Sequence, residues 1–181
     1  MKEENIEVMI MLGAESDIDE IEELYNNLND VLERGINYPG WKKGLYPVRA
    51  NAIRGINEGN LYIAKYKDKI VGSVILNHEP ESGYDSARWK TANNYNEILV
   101  VHTLVVNPNY FRLEIGERLI NFGSELAEKL NMKSVRLDVY EKNKPAIKLY
   151  EKCGFIYIDT VDLGLSIYGL DWFKLYEKVM N

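Results

Sequence analysis

The sequence has little cysteine, no excess of positive charge and no long hydrophobic run, and each shortage excludes a class of protein. Cys153 is the single cysteine among 181 residues, which excludes an internal disulfide framework and a multi-cysteine metal site. Its neighbours are apolar residues at helical spacing, so a buried structural thiol is favoured over a nucleophile. No apolar run approaches membrane-spanning length, and Met1–Asn5 lacks a signal-peptide core. We therefore expect a cytoplasmic protein without a membrane partner.

The acidic balance of the chain bears on its partners. Lysine and arginine number 22 against 28 acidic residues, a formal charge of −6. Nucleic acid is excluded as the main partner, because binding it requires a basic surface. A cationic small molecule or peptide is mildly favoured by long-range attraction. The length predicts a single domain over residues 1–181, and the 46% of hydrophobic residues provide a substantial core.

Hydrophobic periodicity predicts the elements of the first half of the chain. A short strand over Ile6–Leu12 is followed by a helix that begins after Ser16 and Asp17 and is closed by Gly35. The helical spacing is carried by Ile18, Ile21, Leu24, Leu28 and Leu32. Pro47 opens a second helix that ends at Gly59.

A hairpin and a long polar loop follow the second helix. The hairpin pairs Leu61–Tyr66 with Ile70–Leu76 across a tight turn. The segment Asn77–Asn96 is polar and irregular, and a loop of this length is usually functional or mobile.

The stretch from Glu97 to Phe155 organises the rest of the chain. An apolar strand, Glu97–Val106, leads through a loop into a helix whose apolar residues are Ile115, Leu119, Phe122, Leu126 and Leu130. A second apolar strand, Ser134–Tyr140, leads into a short helix. The turn between the first strand and its helix collects unpaired N–H groups at a positive helix end, where an anion such as a pyrophosphate binds.

Two closing strands complete the order of elements. They cover Phe155–Asp159 and Trp172–Val179, joined by Thr160–Asp171. The resulting order, β-α-α-β-β-β-α-β-α-β-β, predicts a mixed sheet with helices on both faces.

Two motifs in the central stretch resemble the GNAT superfamily of acyl-CoA N-acyltransferases, in its small single-domain bacterial form. One is Val106-x-Pro108 before the turn. The other is Asn143-x-x-Ala146-x-x-Leu149-Tyr150-x-x-x-Gly154-Phe155. The resemblance implies an α/β (α+β) fold whose central sheet has about seven mostly antiparallel strands. It also implies a splay between the fourth and fifth strands, which holds the pantetheine arm of acetyl-CoA. No metal is implied, and a homodimer is expected by analogy alone.

The resemblance also implies a cofactor site. Backbone groups of Leu104, Val105 and Val106 would bind the pantetheine amides. The family's pyrophosphate motif, Gln/Arg-x-x-Gly-x-Gly/Ala, falls on Phe111, Arg112, Leu113, Glu114, Ile115 and Gly116, with Glu117 next on the helix. Only Gly116 matches, since Glu114 stands at a glycine position and adds bulk and like charge. Arg112, one residue late, is the expected source of the missing positive charge. Asn143 suits a helix N-cap, and the resemblance implies a contact with the cofactor region; the two roles are compatible.

The candidate acid and base follow from the chemistry of acyl transfer. Tyr150 matches the family's tyrosine and would protonate the departing CoA thiolate. An ammonium must lose a proton before it attacks, and His102 resembles the base or water-relay of arylalkylamine-type members. Glu97 is the alternative base. Strand alternation puts Glu97 and His102 on opposite faces unless a bulge intervenes.

The acceptor pocket is predicted from aromatic residues in two loops. Trp41, Tyr46, Trp89 and Tyr95 suit an amine with an apolar or cationic body, but loop aromatics also serve to pin loops to a core. The sequence thus predicts an N-acetyltransferase that moves the acetyl group of acetyl-CoA to a small-molecule or peptide amine by direct attack in a ternary complex. The alternative is a non-catalytic acyl-CoA-binding or regulatory module, because the turn departs from the family motif. A dinucleotide-binding domain is disfavoured, since no Gly-x-Gly-x-x-Gly is present.

Overall fold

A computed structural model describes residues 7–181, so Ile6 and Met1–Asn5 lie outside the described residues. Four helices are α1 (Ile18–Arg34), α2 (Arg49–Asn57), α3 (Ile115–Lys129) and α4 (Lys144–Lys152) in this part of the chain. The strands are β1 (Val8–Leu12), β2 (Leu61–Tyr66), β3 (Lys69–Asn77), β4 (Ile98–Val106), β5 (Ser134–Tyr140), β6 (Ile156–Val161) and β7 (Phe173–Val179). Within residues 7–181, no helix combines the length and apolar character that crossing a bilayer requires.

The seven strands form one mixed sheet in the order β1-β2-β3-β4-β5-β7-β6. Every neighbouring pair is antiparallel except β4 and β5, which run parallel because α3 carries the chain across between them. The predicted fold class is therefore confirmed.

Helices cover both faces of this sheet. On one face, Leu119 and Ile120 of α3 and Tyr150 of α4 belong to one buried cluster. On the other face, Ile21 of α1 and Ala52 of α2 belong to a second. The amphipathic spacing read from the sequence thus gives each helix its buried stripe.

Two of the element boundaries that differ from the prediction have a clear local cause. Helix α2 begins at Arg49 rather than Pro47, because Val48 is its N-cap and donates its N–H to the Asn51 side chain (2.8 Å). Strand β6 begins at Ile156 rather than Phe155. The Phe155 N–H instead donates to the Tyr150 carbonyl (3.1 Å) and closes the end of α4.

Strands β4 and β5 part soon after they meet. They pair only between Ile98–Val100 and Ser134–Arg136. Beyond Val100, the edge of β4 that faces β5 has no partner strand within the described chain, and a cleft opens there. The predicted splay is part of the observed fold.

A β-bulge in β4 changes which way its last residues point. His102 pairs with Ile75 and Val105 with Ser73, so Thr103 and Leu104 together oppose one residue of β3. Thr103 has a φ of 48°, a left-handed value that a β-branched residue rarely adopts. The bulge follows His102, so the alternation that separates Glu97 from His102 is undisturbed.

Candidate active site

The cleft between β4 and β5 has a volume of about 820 Å³ and two chemically different ends. One end lies at the turn before α3 and is bounded by Val106, Gly116 and Leu149. The other lies under the loops before α2 and after β6 and is bounded by Tyr46 and Leu170. Its middle carries the titratable groups described below.

The turn at the first end presents free backbone donors. A 3-10 helix, Pro108–Leu113, passes through Glu114 into α3. Ile115, Gly116 and Glu117 form the first turn of α3, ahead of the bond from the Arg118 N–H to the Glu114 carbonyl (3.0 Å), and the N–H groups of a first turn lack a partner within the helix. Three donors at a positive helix end can bind an anion.

Glu114 occupies this turn in a backbone conformation that glycine adopts without strain. Its φ is 54° and its ψ is 34°, in the left-handed region. The turn thus follows a glycine-like path although the glycine is absent. Gly116 itself approaches α4 closely, since a methyl group there would lie 3.1 Å from Leu149.

The positive charge at this turn comes from α4. Lys152 lines the cleft and is paired with Glu117, with Glu114 3.9 Å away. These contacts raise the pKa of Lys152, mainly through its hydrogen bond to Glu117. Arg112, the residue expected to supply the charge, is exposed and does not line the cleft. Sequence reasoning missed Lys152 because it lies 38 residues beyond Glu114.

Of the remaining residues predicted to bind the cofactor, most line the cleft and two do not. Leu104, Val106, Phe111, Ile115, Glu117 and Asn143 line the cleft. The side chains of Val105 and Leu113 do not, since Val105 packs into the core beneath α1. Asn143 also caps α4, since the Ala146 N–H donates to its side-chain oxygen (3.4 Å).

Tyr150 lies on the cleft wall with an unengaged hydroxyl. The residue is 7% exposed, and its hydroxyl forms no hydrogen bond to any residue that the structure describes. Burial, followed by the charge of Asp138, raises the pKa of Tyr150 well above 10. The phenol therefore remains protonated at neutral pH and is able to donate.

His102 is held by an acceptor at each ring nitrogen. Nε2 lies 3.0 Å from the Glu79 carbonyl, and Nδ1 lies 3.2 Å from the Glu81 carboxylate. A carbonyl and a carboxylate both only accept, so the imidazolium alone donates to both at once; the neutral tautomer that keeps Nε2–H on the carbonyl leaves the lone pair on Nδ1. Burial lowers the pKa of His102, but the Glu81 bond and the charges of Asp138 and Glu81 outweigh it and raise the pKa.

Asp138 on β5 is a cleft residue that sequence reasoning missed. Tyr84 donates its hydroxyl to Oδ2 of Asp138 (2.7 Å). Burial raises the pKa of Asp138 to about 6, against the lowering effect of the Tyr84 bond. A carboxylate between Leu137 and Val139 in an apolar strand was the available signal. Glu81 was also missed, and its loop sequence offers none.

Two of the four predicted acceptor aromatics line the cleft. Tyr46 and Trp41 meet edge to face, with ring centroids 5.3 Å apart. The Tyr46 hydroxyl is hydrogen-bonded to the Thr103 side chain (2.5 Å), which ties this loop to the bulge of β4. Burial raises the pKa of Tyr46 to about 12, so the phenol is neutral.

Trp89 and Tyr95 lie elsewhere, which corrects the expectation that all four aromatic residues line the acceptor pocket. The Arg136 guanidinium stacks 4.2 Å from the Trp89 ring centre and donates to the Tyr95 hydroxyl (3.0 Å). Arg136 is fully buried and also bonds Glu177 (3.1 Å). The two aromatics therefore pin their loop over a buried charge pair.

Glu97 also lies away from the cleft. It is exposed and accepts a hydrogen bond from the Asn94 side chain (3.1 Å) at the start of β4. Five residues of strand separate it from His102, a distance of roughly 16 Å. This corrects Glu97 as the alternative base.

The splayed mixed sheet thus holds a cleft with anion donors at one end and titratable groups in its middle. The sequence profile of the acetyltransferase (GNAT) family matches residues 21–155, which is more than half of the chain. The chain belongs to this family.

Two curated proteins with similar sequences are acetyltransferases by name, and each match covers only part of the relative. An uncharacterized N-acetyltransferase of Methanocaldococcus jannaschii is 27% identical over 72% of this chain and 57% of its own length. The catalytic subunit of the N-terminal acetyltransferase B complex of Arabidopsis thaliana is 34% identical over 31% of this chain and 33% of its own length. The chain thus spans less than two thirds of these relatives.

Two solved structures share the fold. A GNAT-family acetyltransferase from Streptococcus agalactiae superposes with a TM-score of 0.76 at 20% identity, covering 98% of this chain and 99% of that one. A Salmonella typhimurium protein, solved with its cofactor acetyl-CoA, superposes with a TM-score of 0.69 at 12% identity. It covers 96% of this chain and 94% of that one.

Proposed function

We propose that the protein transfers the acetyl group of acetyl-CoA to a primary amine by direct attack within a ternary complex. The observation that carries this proposal is the unengaged Tyr150 hydroxyl on the wall of the splayed cleft, with His102 in the same cleft. Family membership and the acetyl-CoA held by the Salmonella typhimurium protein support acetyl-CoA as the acyl donor.

The cofactor end of the cleft fits a pantetheine pyrophosphate. The first-turn N–H groups of Ile115, Gly116 and Glu117 would bind the phosphates, with Lys152 as the cation. The open edge of β4 near Val105 offers unpaired backbone groups to the pantetheine amides. When bound, acetyl-CoA supplies the thioester whose carbonyl carbon the amine attacks.

His102 is the proposed proton acceptor. An ammonium in the middle of the cleft gives its proton to Nδ1, while Nε2–H stays on the Glu79 carbonyl. The imidazolium that forms is then paired with Glu81. Direct transfer and transfer through one water fit the same geometry.

Tyr150 is the proposed acid for the leaving group. The neutral amine forms a bond to the thioester carbonyl carbon, and N–H groups near Val105 stabilise the oxyanion. Collapse breaks the carbon–sulfur bond, and the sulfur keeps the electron pair. Tyr150 donates a hydrogen bond or its proton to that sulfur. The nitrogen gives up its second proton on collapse, and this proton ends on the thiolate or on the Tyr150 phenolate, while the first stays on His102.

The proposal is tested by release of free CoA thiol from acetyl-CoA with a panel of primary amines. Turnover that requires both acetyl-CoA and an amine, with the acetylated amine identified by mass spectrometry, is expected. Tight acetyl-CoA binding without turnover on any amine would favour the non-catalytic module instead. Glu114 prompts that alternative, but its glycine-like backbone conformation leaves the turn intact, which supports the enzyme.

A further inference from the structure

We propose that the acceptor is a small primary amine with an apolar or aromatic body and no carboxylate beside its nitrogen. This inference rests on the proposed acetyl transfer and concerns the end of the cleft beyond His102. Three features carry it: a roof formed by two loops, apolar walls, and a floor whose charges suit an ammonium but no carboxylate.

The roof is a contact between the loop that joins α1 to α2 and the loop that joins β6 to β7. Gly40 lies against Leu170 so closely that a methyl group at Gly40 would overlap the leucine side chain. Both residues also line the cleft. Because the two loops meet, the acceptor end is covered, and it admits a small molecule more readily than a lysine on a folded protein.

The walls of this end are apolar. Helix α1 contributes Leu28 and Leu32, and the β6–β7 loop contributes Leu163 and Leu165. Trp41 lines the same end and packs against the core cluster beneath α1 and against Tyr46. An amine with an aliphatic or aromatic body would bury its surface here at about 25 cal/mol per Å², whereas a polyamine would place a second charge against leucine.

The floor carries the groups that attract an ammonium. The Glu81 carboxylate lies 3.2 Å from Nδ1 of His102, and Asp138 lines the same cleft; the charges of both raise the pKa of His102 against the lowering effect of burial. Tyr84 occupies only Oδ2 of Asp138. An ammonium beside these groups would be paired with carboxylate and lie next to the proposed proton acceptor.

The same end offers a single exposed lysine to a substrate carboxylate. Besides His102, the cationic residues that line the cleft in the described part of the chain are Lys42 and Lys152, and no arginine lines it. Lys152 is at the cofactor end, paired with Glu117. Lys42 is an exposed loop residue. An amino acid would therefore bring its carboxylate against Glu81 and Asp138, with the exposed Lys42 as the one lysine at that end in the described part of the chain.

The test compares matched amines at saturating acetyl-CoA. The probes are 2-phenylethylamine and phenylalanine, which differ by one carboxylate. Spermidine, a tetrapeptide with a free N-terminal amine and a lysine-containing peptide complete the panel. We expect kcat/KM for 2-phenylethylamine to exceed that for phenylalanine by 100-fold or more, and to exceed those for spermidine and both peptides.

Two variants report on the roof. Leu170→Ala should lower the ratio of kcat/KM for 2-phenylethylamine to kcat/KM for the tetrapeptide at least fivefold. KM for acetyl-CoA should be unchanged. Ile167→Ala is the matched control, because Ile167 lies in the same loop, is 84% exposed and does not line the cleft. It should leave the ratio unchanged. If Leu170→Ala leaves the ratio of kcat/KM for 2-phenylethylamine to that for the tetrapeptide unchanged, the contact between the two loops does not restrict the acceptor.

The failures are distinguishable. Turnover of phenylalanine, spermidine or a peptide at or above the rate of 2-phenylethylamine would overturn this inference and leave acetyl transfer standing. Absence of turnover on every amine would overturn the proposed function and this inference with it. Binding of 2-phenylethylamine to the acetyl-CoA-loaded protein, weakened at least tenfold by Glu81→Gln, would support the acidic floor independently of turnover.

Discussion

Replacing Tyr150 with phenylalanine removes one oxygen from the cleft and little else. The hydroxyl has no hydrogen-bond partner among residues 7–181, so no protein bond is lost. The free energy of unfolding should therefore change by no more than about 0.5 kcal/mol. The ring keeps its packing against Phe155, with centroids 6.2 Å apart.

The effect on turnover should be much larger than the effect on stability. Loss of a positioned acid typically costs about 10²- to 10⁴-fold, which corresponds to roughly 3 to 5 kcal/mol of transition-state stabilisation. Because Tyr150 acts on the departing sulfur, kcat should fall while KM for both substrates changes little.

The assay is continuous detection of CoA thiol with a disulfide reagent. Cys153, the protein's own thiol, is 8% exposed, and burial raises its pKa, so it should react too slowly to interfere. Unfolding in urea provides the stability readout on the same samples.

Tyr176→Phe is the matched control. Tyr176 is buried like Tyr150 but lies outside the cleft and donates to Glu151 (2.9 Å). Its replacement should cost about 1 kcal/mol of stability and leave kcat unchanged. A Tyr150→Phe enzyme with the kcat of the natural protein would refute the role of the phenol, and equal losses in both variants would mean that packing alone is responsible.

Three further variants have defined expected outcomes. Glu81→Gln should lower the pKa of His102, and the acidic limb of kcat/KM, measured from pH 5 to 9, should move to lower pH; an unmoved limb would exclude His102 as the base. The raised pKa of His102 adds stability below its unfolded value of about 6.5 that is lost as pH rises through the folded value, so this variant should lose more stability near pH 6 than near pH 9. Glu114→Gly should lower KM for acetyl-CoA several-fold by removing a like charge, as titration calorimetry would also register. Glu177→Gln leaves the buried Arg136 charge without its anion and should cost about 3 to 5 kcal/mol in urea unfolding, whereas a loss below 1 kcal/mol would show the remaining bonds to be sufficient.

The fold could be predicted from the sequence because its signals are local. Strand β5 was predicted with its observed bounds, Ser134–Tyr140, since an apolar run between turn residues has few alternatives. The two ends of helix α1 were likewise predicted from its capping residues, Asp17 and Gly35, whose effect on the helix is local.

Only those site residues that lie within a single sequence motif could be predicted. Tyr150 and Gly116 follow from spacing within single segments. Glu81 and Asp138 do not, because their proximity to His102 depends on three separate elements meeting in space. Trp89 and Tyr95 resembled pocket residues in the sequence, and nothing local indicated that a buried Arg136 would hold them instead.

The bulge at Thr103 limits which mutations strand β4 can tolerate. Before it, Leu99 and Val101 belong to the α3 side of the sheet; after it, Leu104 and Val106 do, while Val105 belongs to the α1 side. Removing a single residue here would exchange the layers into which the last three side chains project. Insertions and deletions should therefore be selected against at this position more strictly than substitutions, and the length of this strand is a sharper constraint than its composition.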